Sequence, residues 1–179
     1  MMREKVIETR RIFEGRLLKL RVDKVELEEG TIATREVVEH RGAVAILPIL
    51  PEDKIIFVRQ YRLPADKVLL EIPAGTLSPN EEPIECAKRE LKEETGYTAG
   101  KWRKLLSLFL APGYSTECIH IFLAEDLREG ESKPDKDEKV IVCVLPLNEA
   151  LRMIENGEIE DAKTVSALLF YKTFIKEVQ

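Results

Sequence analysis

The chain opens with short runs of β-forming residues at hairpin distances, and this pattern constrains the fold most. The runs AVAILPIL and KIIFVRQYR, residues 43–50 and 54–62, are separated only by residues 51–53. Before them, apolar and polar residues alternate on both sides of Gly30. Turn residues between such segments predict antiparallel hairpins. The first half of the chain therefore predicts a sheet whose consecutive strands are antiparallel neighbours.

A helical segment interrupts this strand pattern. Residues 83–95 carry good helix formers between Pro83, which suits a first turn, and Gly96, which suits a C-cap. After it come further strand-like runs, KWRKLLSLFL, CIHIFLAEDL and VIVCVLPL. A helix placed among strands, with more helices at the end, predicts an α+β fold: a mixed sheet with helices on its faces.

Two more helices are predicted near the end of the chain. LNEALRMIENG has Asn148 as its expected N-cap and Gly157 as its stop, and an amphipathic helix is expected from about residue 161 to residue 177. The segment His40-Arg41-Gly42 precedes the first strongly apolar strand. We therefore expect an N-terminal β extension over residues 1–40 and a main domain over residues 41–179.

Composition narrows the class of protein. The 179 residues are 44% hydrophobic, which is enough for a real core, and the net charge is −5. An acidic balance argues against broad binding to nucleic acids or membrane surfaces, and no apolar run reaches the length of a membrane span or signal peptide.

The cysteines Cys86, Cys118 and Cys143 form no CxxC pair, so we interpret them as reduced core thiols. We expect a cytoplasmic protein.

The stretch RELKEETGY, residues 89–97, gathers three carboxylates on one side of the predicted helix. Glu90, Glu93 and Glu94 fall within roughly one third of the helix circumference, beside an apolar stripe. Glu90 and Glu94 are a like-charge i, i+4 pair, which destabilises an isolated helix. Carboxylates beside apolar residues need a compensating cation, and hard oxygen donors suit Mg²⁺ or Mn²⁺. Taken alone, the pattern is equally compatible with a solvated acidic face.

The residues at fixed spacing around these carboxylates favour a metal site over a solvated acidic face. Its fixed positions, in order along the chain, are Gly75, Glu81, Arg89, Glu90, Leu91, Glu93, Glu94, Gly96 and Tyr97. Their spacing resembles the signature of the Nudix hydrolases, GX5EX7REUXEEXGU with U a bulky apolar residue. Only Tyr97 departs mildly, as an aromatic where an aliphatic residue is common. The resemblance implies a Nudix-type α/β/α sandwich.

The same resemblance implies which residues act at the metal. Glu90, Glu93 and Glu94 would bind Mg²⁺ or another divalent ion, with Glu93 and Glu94 counted among the catalytic residues. The carbonyl of Ala74 would add a ligand, and a metal-activated water would attack the diphosphate. Four residues would have structural roles in the signature: Gly75, Glu81, Arg89 and Gly96. Arg89 is expected to hold the carboxylates in place rather than to touch the substrate.

Features outside the signature resemble the ADP-ribose pyrophosphatase branch of the family. These are Pro112, fifteen residues after the signature, the turn of residues 73–75, and VRQYR at residues 58–62. Residues 1–40 resemble the extension through which these enzymes form homodimers. The branch implies substrate contacts by Arg35, Glu36, Arg62, Pro112, Gly113 and Glu117. It also implies that Glu138 is the general base, on a loop that closes over the substrate.

The resulting prediction is a homodimeric, Mg²⁺-dependent hydrolase that converts ADP-ribose to AMP and ribose 5-phosphate. One alternative is a Nudix hydrolase of other nucleoside diphosphate sugars or of dinucleoside polyphosphates. A second is a non-catalytic Nudix module that binds ADP-ribose, against which the full set of glutamates argues. A third is a scaffold protein with an acidic helix, which divalent-ion binding would distinguish.

Overall fold

The computed structural model describes residues 3–131 and 139–176, and the chain divides into two compact units. The first contains residues up to Gly42 together with Leu108–Cys118, and the second contains Ala43–Ser107 and the residues from Ile119 onward. The segment Leu108–Cys118 joins the first unit through Val38, which donates its N–H to Tyr114 at 2.7 Å and accepts from Thr116 at 2.9 Å. The sequence had assigned only residues 1–40 to this part of the chain.

An antiparallel three-stranded sheet forms most of the first unit. Its strands are β1 (Lys5–Glu14), β2 (Leu18–Glu26) and β3 (Ile32–His40), in that order. The β2–β3 turn has Gly30 at a φ of 78°, which is where the sequence predicted a hairpin. The predicted N-terminal antiparallel pairing is therefore present.

The second unit contains most of a mixed sheet. Its strands are β4 (Ala43–Leu50), β5 (Lys54–Arg62), β6 (Lys67–Glu71), β7 (Ala74–Thr76), β8 (Thr98–Phe109), β9 (Cys118–Arg128) and β10 (Val140–Pro146). The main order is β10-β5-β4-β9-β8, with β6 beside β5 and β7 beside β4. The β4–β9 pair is parallel, whereas β4–β5, β5–β6, β4–β7 and β5–β10 are antiparallel. The predicted α+β class with a mixed sheet is confirmed.

Within the described residues, three α-helices flank this sheet: α1 (Pro83–Thr95), α2 (Leu147–Glu155) and α3 (Ala162–Tyr171), with α3 followed by a π-helical turn at Lys172–Lys176. Helix α1 ends as predicted, because Gly96 has a φ of 79° and donates its N–H to Lys92. The predicted N-cap of α2 was wrong. Pro146 occupies that position, and Asn148 lies inside the first turn.

Strand β4 is the centre of the core. Val44 and Ile46 are fully buried and belong to one apolar cluster with Ala87 and Leu91 of α1. Their neighbours on the other face of the strand, such as Leu47, are also fully buried, and α3 contacts β4. Helix α1 is thereby fixed on a rigid strand. None of the helices in the described ranges has the length and apolarity that a membrane crossing needs.

Candidate active site

The acidic face of α1 is graded in burial, as the helical pattern predicted. Glu94 is 5% exposed, whereas the side chains of Glu90 and Glu93 are 13% and 43% exposed. On the opposite side, Glu85 forms an exposed pair with Lys88 at 2.7 Å. A solvated acidic face would not bury Glu94 this deeply, since burying a carboxylate is costly without a specific environment. The burial of Glu94 therefore argues against a purely solvated acidic face.

Arg89 joins three carboxylates of the signature. Its Nε and Nη2 donate to the two oxygens of Glu81 at 2.9 and 3.0 Å. Its Nη1 donates to Glu90 at 2.7 Å and to Glu93 at 2.9 Å. Such fork-shaped, charge-assisted bonds fix side-chain orientation as well as offsetting charge. This geometry suits the holding role that the sequence predicted for Arg89.

The backbone before α1 closes the site from the other side. The N–H of Ala74 donates to Glu94 Oε2 at 3.1 Å. A Cβ on Gly75 would lie 1.9 Å from Glu90 Cδ, so only glycine leaves room for that carboxylate. The sequence predicted a turn at residues 73–75, but Ala74–Thr76 is a short strand whose Ala74 pairs with Ala45 of β4. This pairing fixes the segment against Glu90 and Glu94.

Two ionisable groups beside Arg89 have pKa values far from their ordinary ones. Hydrogen bonds from Arg89, and then from the backbone of Ser78, outweigh partial burial and lower the pKa of Glu81 to about 2. Burial raises the pKa of the Cys86 thiol to about 12. Glu81 is therefore ionised at neutral pH and Cys86 is protonated. Cys86 is buried as predicted, whereas Cys118 and Cys143 are only half-buried, and all three are free thiols.

The donor set suits a divalent ion. Within residues 3–131 and 139–176, no three His, Cys, Asp or Glu side chains converge as a closed metal cluster; Glu90 and Glu93 converge on Arg89 instead. The carboxylate oxygens of Glu90, Glu93 and Glu94 are hard donors, which Mg²⁺ and Mn²⁺ prefer. The chemistry of these donors is compatible with a divalent ion, and the metal itself stays a prediction.

A second charged group, which the sequence analysis missed, lies at the end of β6. Glu71 is 1% exposed and accepts from Arg62 Nε and Nη2 at 2.7 and 2.8 Å, and from Lys163 of α3. Burial raises the pKa of Glu71, but Arg62 and Lys163 outweigh this effect and lower it overall. The signal was a glutamate inside the apolar run VLLEI. Arg62, a predicted substrate contact, is therefore held by Glu71.

The other five predicted substrate contacts all lie in the first unit. Arg35 donates to Glu4 from Nε at 3.0 Å and from Nη2 at 2.5 Å. Glu117 lies 3.8 Å from Nδ1 of His40. Glu36, Pro112 and Gly113 are exposed. The predicted general base Glu138 lies outside the described residues.

A mixed sheet with an acidic helix whose carboxylates meet a glycine of the preceding segment defines a Nudix-type hydrolase fold. The NUDIX domain family matches residues 39–168, and the nucleoside diphosphate sugar hydrolase N-terminal domain matches residues 4–38. The chain belongs to the Nudix family. The family that the sequence predicted is confirmed.

Several known proteins resemble the chain over most of its length. It is 46% identical to the ADP-ribose pyrophosphatase of Bacillus subtilis (strain 168), over 93% of this chain and 91% of that protein. It is equally identical, over the same shares, to the methanol dehydrogenase activator of Bacillus methanolicus. A solved structure described as an ADP compounds hydrolase is 27% identical, with a TM-score of 0.87 over 99% of this chain and 97% of that one. The predicted resemblance to ADP-ribose pyrophosphatases is therefore confirmed.

Proposed function

We propose that the protein is a Mg²⁺-dependent hydrolase that cleaves ADP-ribose to AMP and ribose 5-phosphate. The observation that carries the proposal is the convergence of Glu90 and Glu94 on the backbone of Ala74 and Gly75. A diphosphate is strongly anionic, so an acidic face suits it only through bound cations. Relatives named ADP-ribose pyrophosphatase support this choice of substrate.

The metal would be held by Glu90, Glu93, Glu94 and the carbonyl of Ala74. When bound, a divalent ion offsets the charge of the diphosphate and lowers the pKa of water. Arg89 keeps Glu90 and Glu93 in place through its two Nη1 bonds. The helix would therefore hold the cation in a fixed arrangement, and positioned positive charge is what an electrostatically driven phosphoryl transfer requires.

The remaining roles extend the proposal to the substrate. Water attacks one phosphorus of the diphosphate, the bridging P–O bond breaks, and Glu138 accepts the proton of the attacking water. Arg62 contacts the phosphates or the ribose, and its guanidinium group is oriented by the two hydrogen bonds that it donates to Glu71. Arg35 and Glu36 contact the adenosine end, and Glu117 the terminal ribose. Pro112 and Gly113 line the substrate side of their loop.

We also propose that residues 1–40 form the contact of a cytoplasmic homodimer, with residues 41–179 as the catalytic domain. Apolar side chains on β1 and beside it are exposed in the single chain, as on a surface that a second copy would cover. They are Val6, Ile7, Ile12, Phe13 and Leu17.

Product analysis across a substrate panel tests the proposed function. The protein is incubated with Mg²⁺ and ADP-ribose, ADP-glucose, ADP-mannose, GDP-mannose, NADH or Ap4A, each with an EDTA control. We expect AMP and ribose 5-phosphate to form fastest from ADP-ribose and to vanish with EDTA. Faster cleavage of another compound would reject ADP-ribose as the preferred substrate. The metal-binding role proposed for α1 would still stand. Calorimetric binding of ADP-ribose without cleavage would favour a binding module.

A further inference from the structure

A buried charge network connects α3 to the end of β6. Glu71 is 1% exposed and Lys163 is 8% exposed, and the Lys163 ammonium donates to a Glu71 oxygen. Lys163 also donates to Asp161 Oδ1 at 2.9 Å, while Arg62 holds Glu71 by two bonds. Two cations thus face two carboxylates, so the network is balanced in charge despite its burial.

Thr164 forms a second connection, between α3 and Ile72, the residue directly after β6. Its hydroxyl accepts from the N–H of Ile72 at 2.9 Å and donates to Asp161 Oδ2. Asp161 also caps α3 by accepting from the N–H of Thr164 at 3.0 Å. Thr164 is fully buried. The hydroxyl hydrogen and one of its two lone pairs are therefore used, and the first turn of α3 is bonded to the backbone of Ile72, directly after β6.

These connections fix the chain just before the candidate metal site. Ile72 is bonded to Thr164, Pro73 accepts from the N–H of Ile46 at 2.8 Å, and Ala74 donates to Glu94 at 3.1 Å. Three consecutive residues are therefore each held by a different element. Because only Pro73 lies between Ile72 and Ala74, the position of Ile72 bears on the contact of the Ala74 amide with Glu94, together with the pairing of Ala74 with Ala45.

We propose that Lys163 and Thr164 are positioning residues, which fix the strand end at Glu71 and Ile72 so that Ala74 meets Glu94 in the active arrangement. The catalytic consequence of this inference rests on the proposed function. Neither residue belongs to the spacing pattern of the acidic helix, and Lys163 lies 92 positions from Glu71. Apolar residues would pack the same space without the cost of desolvating charges, whereas charge-assisted bonds fix direction and register.

A pair of substitutions at Thr164 separates positioning from general stability. Thr164→Val keeps the shape but removes both hydroxyl bonds, and Thr164→Ser keeps the hydroxyl. By amide hydrogen exchange, we expect Thr164→Val to speed exchange of the Ala74 amide about tenfold relative to amides of β9. We expect kcat to fall by a similar factor with KM little changed, and Thr164→Ser to retain wild-type values. Equal changes at Ala74 and throughout β9, with kcat preserved in the folded protein, would overturn the proposal.

Lys163 has a matched control in the same pair of elements. Lys67, at the start of β6, pairs with Glu160 just before α3, and both side chains are about half exposed. We expect Lys163→Met to speed Ala74 exchange and lower kcat, and Lys67→Met to change neither. Equal effects of the two substitutions would contradict a positioning role for Lys163. If Lys163→Met fails to fold, the Thr164 pair still decides the proposal.

The exchange measurement needs neither substrate nor metal, so it separates this inference from the proposed function. If Ala74 responds to Thr164→Val but the wild-type protein cleaves no compound of the panel, the positioning of Ala74 stands and the proposed function fails. If the wild-type protein cleaves ADP-ribose but Ala74 does not respond, the proposed function stands and the positioning role is rejected.

Discussion

The Glu90 carboxylate lies directly against the backbone of Gly75, at a spacing that leaves no room for a side chain there unless the carboxylate moves. A Cβ on Gly75 would lie 1.9 Å from Glu90 Cδ and 2.0 Å from Oε1. The two residues are in different elements, β7 and α1. The first position of the signature is therefore a glycine for steric reasons that involve one of the candidate metal ligands.

Gly75→Ala is expected to displace the Glu90 carboxylate and to reduce kcat about a hundredfold, because a candidate metal ligand moves. Steady-state kinetics with ADP-ribose and calorimetric titration of Mn²⁺ would both report the loss. Gly100→Ala in β8 is the matched control, since its added carbon would lie 3.1 Å from Cβ and 3.6 Å from the backbone oxygen of the exposed Asp126, away from the acidic face of α1. Wild-type metal affinity in Gly75→Ala would contradict this interpretation of the contact.

Arg89→Lys tests whether this residue holds the carboxylates or touches the substrate. Lysine keeps the charge but cannot bond Glu81 twice while also reaching Glu90 and Glu93. We expect kcat to fall about tenfold and KM for ADP-ribose to change little. Lys88→Met on the solvent side of α1 should leave both values unchanged. A rise in KM alone would instead indicate substrate contact by Arg89.

The depressed pKa of Glu81 predicts an acid-sensitive contribution to stability. Its carboxylate has a pKa of about 2 in the folded protein against an ordinary value of 4.5, because Arg89 bonds the ionised form. The contribution is present above about pH 4.5 and is lost as the pH falls toward 2. Denaturant unfolding in EDTA should show the gap between wild type and Glu81→Gln shrinking over that range. Glu85→Gln, in an exposed pair, should show no such trend, and a constant gap for Glu81→Gln would reject the assignment.

Glu138→Gln tests the proposed general base. Removing a base that accepts a proton in the transition state should lower kcat about a hundredfold and affect KM less. Glu131→Gln, seven residues earlier, serves as the control for loss of one negative charge in this part of the chain. An unchanged kcat in Glu138→Gln would remove this residue from the mechanism.

Local signals predicted the elements that carry the acidic site. Pro83 and Gly96 mark the ends of α1 through their own backbone preferences, and the burial of Glu94 follows from helical periodicity. These features depend on residues within one or two turns of each other. The sequence was sufficient there because no distant partner decides the outcome.

Features that depend on distant partners were missed. Ala74–Thr76 is a strand because it pairs with β4, about thirty residues earlier, although its own sequence suits a turn. Lys163 was placed only within an amphipathic helix, yet it reaches Glu71 across 92 positions. The start of α2 is a local feature that was also missed, because the chain enters the helix directly from Pro146 at the end of β10. The glutamate inside VLLEI indicated that Glu71 needs a partner, but a single sequence does not say which distant residue supplies it.

The central claim, that α1 binds a divalent ion used for hydrolysis, is tested most directly by Glu94→Gln. Glutamine keeps an oxygen that can accept from the Ala74 N–H but removes the negative charge, so the fold should survive. Turnover of ADP-ribose with saturating Mg²⁺ is measured beside Glu85→Gln, with circular dichroism to verify folding. We expect Glu94→Gln to be folded but to have lost turnover, while Glu85→Gln is fully active. Retention of most of the activity by folded Glu94→Gln would contradict it.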